Sequence, residues 1–144
     1  RHYVDLTRVC IWGWSGGGSF TLNMMTNTKE FQAGVSVAPV TDWHYYDTKW
    51  AEFGMKRPVD NPEGYESTSF VKTAKNLHGS LLLVHGTYDD NVHPQNSWHF
   101  IDELVKENIQ FEMMFYPMRK HGIADDEARI HLYTKMLSFW ELNL

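Results

Sequence analysis

Residues 9–12, Val-Cys-Ile-Trp, form a short apolar run that Gly13-Trp14-Ser15-Gly16-Gly17 cuts off. No other stretch restricts the fold as much. The pentapeptide fits G-x-S-x-G, the turn that carries a serine from the end of a buried strand into the start of a helix. A serine at the tip of such a turn takes a strained backbone, and its hydroxyl stands clear of the sheet. Glycines two positions to either side let strand and helix approach without Cβ clashes. The amide of Gly16, next after the serine, then sits at a helix N-terminus, where a developing oxyanion is favoured. Phe20 to Met25 supply apolar residues at helical spacing, so strand, turn and helix are all present. On the five residues alone the plain alternative is a glycine-rich turn without chemistry.

The rest of the chain repeats the alternation. The spacing predicts a helix over 17–26 and a second buried strand over 33–38, stopped by Pro39, hence a parallel unit with a right-handed crossover. Leu81-Leu82-Leu83-Val84-His85 predicts the third strand, and residues 111–116 the fourth, broken by Pro117. Further helices are expected over 67–75, over 97–107 with Trp98, Ile101, Leu104 and Val105 as its inner stripe, and over 126–142. The last carries two apolar stripes, Ile130/Tyr133/Leu137/Trp140 and Leu132/Met136/Phe139, so it needs more than one neighbour. About four strands separated by helices make half of a doubly wound parallel sheet, an α/β class.

The least regular region, residues 40–66, holds Trp43, Tyr45, Tyr46, Trp50 and Phe53. That aromatic load argues against disorder. The region is either a satellite hydrophobic cluster under a loop or, lying beyond the carboxyl ends of parallel strands, a wall of a substrate pocket.

A serine on such a turn needs a base, and the base needs an acid. In this fold they follow in the order serine, acid, histidine, each on a loop at a strand's carboxyl end. Here the third strand runs out into Asp89-Asp90 and the fourth ends just before His121. The histidine must reach Ser15 Oγ with one ring nitrogen and a carboxylate with the other. Spacing does not choose between Asp89 and Asp90. His85, His93 and His99 crowd the acid loop, but Pro94 and the irregular spacing do not place them on one face, so neither a metal nor another cofactor is expected.

Net charge of −5 excludes nucleic acid as the main partner, because no basic patch is available to neutralise phosphates. No run is long enough to span a bilayer, and no secretory leader pattern is present. Cys10 is the single cysteine, so no internal disulfide can form.

Gly13-Trp14-Ser15-Gly16-Gly17-Gly18, Ala38-Pro39-Val40, Tyr45-Tyr46-Asp47, the nonapeptide from His85 to His93 and His121-Gly122-Ile123 resemble the catalytic domain of the prolyl oligopeptidase family. More narrowly they resemble its dipeptidyl peptidase branch, of bacterial type, in register across essentially the whole chain. The resemblance implies an α/β-hydrolase fold and a serine exopeptidase that removes X-Pro or X-Ala dipeptides from peptide N-termini. It implies Ser15 as nucleophile, Asp89 as acid, His121 as base and the Gly16 amide as oxyanion donor. It also implies a proline-sized pocket on Val40, Trp43, Tyr46, Trp50 and Val92, with Asn91 on a substrate carbonyl. A pyrrolidine ring is compact and apolar, and aromatic walls suit it. Two residues depart from the family pattern: Gly16 stands where an aromatic usually follows the serine, and Trp50 where a tyrosine is common. The resemblance places such a protein in the periplasm or at the cell surface.

An α/β hydrolase sets several strands before its nucleophile, whereas Ser15 comes almost at once. Residues 1–144 are therefore expected to be a partial catalytic domain, its C-terminal half, with upstream strands and a β-propeller outside it. In the family a tyrosine hydroxyl upstream of the serine is the second oxyanion donor and propeller glutamates hold the substrate amine, so this stretch alone is expected to turn over little. The edge left bare beside the first strand predicts self-association, a homo-oligomer. Two other functions compete: an ester hydrolase on the same fold, and a non-catalytic peptide-binding relative.

Overall fold

Four parallel strands lie side by side in chain order: β1 (Cys10–Trp14), β2 (Ala33–Val37), β3 (Ser80–Gly86) and β4 (Glu112–Tyr116). The computed structural model describes residues 2–144. Parallel neighbours require crossover connections, and helices supply them. Helix α1 (Gly16–Asn27) follows β1, and α2 (Thr48–Met55), α3 (Pro62–Ser67) and α4 (Phe70–Thr73) lie between β2 and β3. Helix α5 (Gln95–Lys106) precedes β4, and α6 (Asp126–Asn143) closes the chain. Helices α1, α4 and α5 pack together, whereas α6 packs separately against β2 and β3. The result is the expected α/β class.

The period of two along each strand sorts its side chains between two cores. Val35 and Val37 of β2 and Leu82 and Val84 of β3 meet Leu132, Met136 and Phe139 of α6. Leu81 and Leu83 of β3 meet Leu22 of α1 with Phe100 and Leu104 of α5. Full burial of each such side chain contributes roughly 1.5–3 kcal/mol. Of the two apolar stripes on α6, Leu132/Met136/Phe139 is buried, while Ile130, Tyr133 and Leu137 are exposed.

Three local expectations change. The first strand is only partly buried, because among the described residues β1 is an edge of the sheet and pairs with β2 alone. The inner face of α5 is Asn96, Ser97, Phe100 and Leu104, while Trp98 and Val105 point outward. Two polar residues turn inward there because hydrogen bonds satisfy them, and they rotate the apolar stripe with them. The expected helix over 67–75 is divided among the end of α3, all of α4 and a 3-10 turn at Ala74–Asn76. Residues 40–66 are likewise a series of short capped turns. Asp42 accepts from the amide of His44, Asp47 from that of Trp50, and Asn61 from that of Gly64, each opening a new turn.

Candidate active site

The serine turn is held by backbone before any side chain acts. Ser15 lies between the end of β1 and α1 with φ 57° and ψ −121°, a strained conformation for a residue with a Cβ. Its amide donates to Val37 O of β2 at 2.8 Å. A Cβ on Gly13 would lie 2.2 Å from the backbone of Gly17, so only glycine allows β1 and α1 this contact. At the other side of the serine the structure corrects the expectation. A Cβ on Gly17 would meet nothing within 4 Å, whereas one on Gly18 would lie 2.7 Å from Val37 O. The hydroxyl of Ser15 does not cap α1, and the first turn of that helix holds no acidic side chain, so its N-terminal amides remain open to an incoming anion.

The loops after β3 and β4 run against each other. Thr87 N donates to Tyr116 O, Tyr88 N to Arg119 O and Met118 N to Thr87 Oγ1. Gly86 makes this possible, since a Cβ there would sit 2.2 Å from Arg119 O. The pairing brings His121 Nδ1 to 2.7 Å from Asp89 Oδ2. Asp90, by contrast, is exposed and pairs with Lys120 at 2.5 Å. Asp89 is buried, and its other oxygen accepts from the amides of Asn91 at 3.0 Å and Val92 at 2.9 Å. His85 Nε2 approaches Oδ2 at 3.3 Å. Burial alone would raise the Asp89 carboxyl, but hydrogen bonds from His121, His85 and the Asn91 amide outweigh it and hold the group well below the usual carboxylate range.

His121 is placed by its backbone as well. The indole of Trp14, the residue before Ser15, donates to His121 O at 2.8 Å and so ties the histidine loop to the end of β1. With Nδ1 on Asp89, Nε2 is the nitrogen left for Ser15. Among the described residues no hydrogen bond joins Ser15 to His121. Hydrogen bonds between a nucleophile and its base are often long before substrate is bound.

Beside Ser15 opens a cavity of about 600 Å³ lined by Ser15, Gly16, Val40, Trp43, Tyr46 and Trp50. Four of the six expected pocket residues are therefore on one surface with the serine. Asn91 does not line this cavity but is tied to it, its Oδ1 accepting from Tyr46 Oη at 2.9 Å. Val92 differs. It is fully buried beneath the acid loop, its amide on Asp89 and its carbonyl accepting from His85 Nε2 at 2.8 Å, and it does not line the cavity. Burial and nearby Asp47 and Asp89 raise the Tyr46 phenol above its usual value, which keeps it a hydrogen-bond donor.

Sequence reasoning missed Phe20, Ser19 and Phe70 in this cavity. Phe20 enters the sequence reading only as one of the apolar residues at helical spacing, and it is exposed and lines the cavity. Its spacing of four from Gly16 and three from Asn23, both cavity residues, was the available signal. Among the described residues no group of three or more His, Cys, Asp or Glu side chains is arranged to hold a metal. His85 is buried, His93 exposed, and His99 stacks on Tyr45.

The chain resembles known proteins over its full length. It is 43% identical to the "Probable dipeptidyl-aminopeptidase B" of Aspergillus oryzae and 42% identical to the dipeptidyl-aminopeptidase B of Aspergillus niger, each alignment covering 99% of this chain and 16% of the relative. The crystal structure of Porphyromonas gingivalis dipeptidyl peptidase 4 superposes with a TM-score of 0.96 at 44% identity, covering 99% of this chain and 20% of that one. The chain thus spans no more than a fifth of the length of these relatives. The description "Prolyl oligopeptidase family" matches residues 1–144. With the serine turn, the Asp89–His121 pair and the aromatic cavity all inside the matched span, this chain belongs to the prolyl oligopeptidase family.

Proposed function

We propose that these residues are the catalytic part of a longer serine exopeptidase that releases X-Pro and X-Ala dipeptides from peptide N-termini. The observation that carries the reading is the Asp89–His121 hydrogen bond set beside a strained serine and an aromatic cavity. The relatives' names, dipeptidyl-aminopeptidase and dipeptidyl peptidase, support the dipeptide product.

The chemistry follows from which atoms are already occupied. Asp89 accepts the Nδ1 proton and so holds His121 in the tautomer whose Nε2 can take the proton of Ser15 Oγ. Ser15 Oγ then bonds to the carbonyl carbon before the scissile bond, and the carbonyl oxygen takes the negative charge. The Gly16 amide at the start of α1 stabilises that oxyanion. His121 passes the proton to the departing amine as the C–N bond breaks. Water repeats the sequence on the acyl-enzyme and frees the dipeptide. Val40, Trp43, Tyr46 and Trp50 enclose the residue before the cleaved bond, and an apolar ring of proline size packs on such walls. Asn91 binds a substrate carbonyl with its amide nitrogen, since Tyr46 already occupies its oxygen. Val92 supports the wall from below and holds Asp89 by its amide. We place the protein in the periplasm or at the cell surface, as a homo-oligomer.

The test uses the full-length protein. A fluorophosphonate should label Ser15 stoichiometrically, and Gly-Pro-anilide should be turned over in preference to a short acyl ester. Preference for the ester would replace the peptidase by an esterase, and failure to label would leave a non-catalytic binding protein.

A further inference from the structure

Asn96 is wholly buried in the first turn of α5, yet both its carboxamide donors and its carboxamide oxygen have partners. Its Oδ1 accepts from Thr41 N at 3.0 Å, and its Nδ2 donates to Tyr45 O at 3.3 Å and to His93 O at 3.1 Å. Its own backbone carbonyl accepts from Thr41 Oγ1 at 2.7 Å. His93 ends the loop that begins at Asp89. Thr41 and Tyr45 bracket the turn that carries Trp43. One turn along α5, the ring of His99 stacks on Tyr45 with centroids 4.7 Å apart and planes 10° apart.

The same strap is fastened at its other end to the nucleophile helix. Ser19 Oγ donates to Val40 O at 2.7 Å and accepts from Val40 N at 3.0 Å. Residues 40–46 therefore hang between α1, which starts at the serine, and α5, which follows the acid. Trp43 and Tyr46, whose rings meet edge to face at 6.1 Å, ride on this strap and line the cavity.

We propose that Asn96 is a positioning residue for substrate selection, coupling the acid loop to the pocket wall through Thr41 and Tyr45. It sets where Trp43 and Tyr46 stand relative to Ser15, and so which residue is accepted before the cleaved bond. This inference rests on the peptidase reading above. A carboxamide suits the task because it presents one acceptor and two donors in a fixed plane, matching one amide and two carbonyls.

The test compares full-length wild type with Asn96→Ala and, as a milder probe, Thr41→Val, which removes only the hydroxyl donor. Two readouts are needed: the ratio of kcat/KM for Gly-Pro-anilide to that for Gly-Ala-anilide, and the rate of Ser15 labelling by a small fluorophosphonate that does not fill the pocket. In Asn96→Ala the ratio should fall about tenfold, the scale of discrimination a shaped apolar pocket provides. The labelling rate should stay within about threefold, because the serine and its base are held by other bonds. Thr41→Val should shift the ratio the same way by about threefold. An unchanged ratio, or an equal fall in both readouts, would overturn the proposal. If Asn96→Ala does not fold, Asn96→Ser, which cannot supply both side-chain donors, is read in its place, and an unchanged ratio there overturns the proposal. A wild type that cleaves neither anilide would overturn the peptidase reading and this inference together.

Discussion

The acid–base corner and the pocket wall sit side by side but are built differently. At the corner the Asp89 carboxylate has no exposed surface and is surrounded by donors from two loops and two histidines. At the wall Trp50 is 67% exposed and the neighbouring Phe53 93%, both on α2, a helix of eight residues. The corner relies on burial, where each hydrogen bond is electrostatically strong and a displaced one is costly. The wall relies on side-chain caps and on the strap held by Ser19 and Asn96. Proton transfer tolerates little displacement, whereas an apolar surface needs only shape. The two regions should therefore fail differently, the corner in kcat and the wall in KM.

The largest expected effect tests the corner directly. Asp89→Asn keeps the shape but cannot hold the same histidine tautomer, so kcat on Gly-Pro-anilide should fall about 10⁴-fold with KM little changed. A fall below tenfold would remove Asp89 from the mechanism. Next is Trp14→Phe, which deletes the indole donor to His121 O while keeping an aromatic ring. Loss of one hydrogen bond on a positioned base should lower kcat about tenfold, read by steady-state kinetics. A rise in KM alone would assign Trp14 to the wall instead. Tyr46→Phe removes the bond to Asn91 and keeps the ring in the cavity. KM should rise about threefold with kcat held, which an equal loss in kcat would contradict.

The smallest effect is a matter of pH and stability. The native Asp89 carboxyl lies below its unfolded value, so its ionised form stabilises the fold at neutral pH. That contribution is complete above the unfolded value of about 3.9 and is lost as pH falls through the lower native one. The Tm gap between wild type and Asp89→Asn should be constant above about pH 5 and begin to close below about pH 3.9. A gap independent of pH would mean that the native carboxyl is not depressed.

Much of this was legible in the residues because local rules govern it. Four apolar runs stopped by Gly and Pro mark four strands, and G-x-S-x-G marks its turn because only glycine at residue 13 lets strand and helix touch. The order of serine, acid and histidine follows from strands that all end at one rim. Three things escaped local rules. The choice between Asp89 and Asp90 was open to spacing, and three-dimensional packing gives one carboxylate to His121 and the other to Lys120. The inner face of α5 was misread because Asn96 and Ser97 count as polar in any periodicity, while partners elsewhere in the fold, Thr41 and His85, make their burial favourable. Val92 was placed at the pocket by likeness, and the tuck of the acid loop puts it underneath.

The sequence by itself determined the sheet, the nucleophile turn and the set of residues from which a site could be made, because apolar periodicity and glycine sterics act within a few neighbours. Only the tertiary structure decided which polar atoms meet. Hydrogen bonds such as Trp14 to His121 and Asn96 to Thr41 join residues far apart in the chain, and whether a buried polar group is satisfied depends on what the fold brings to it.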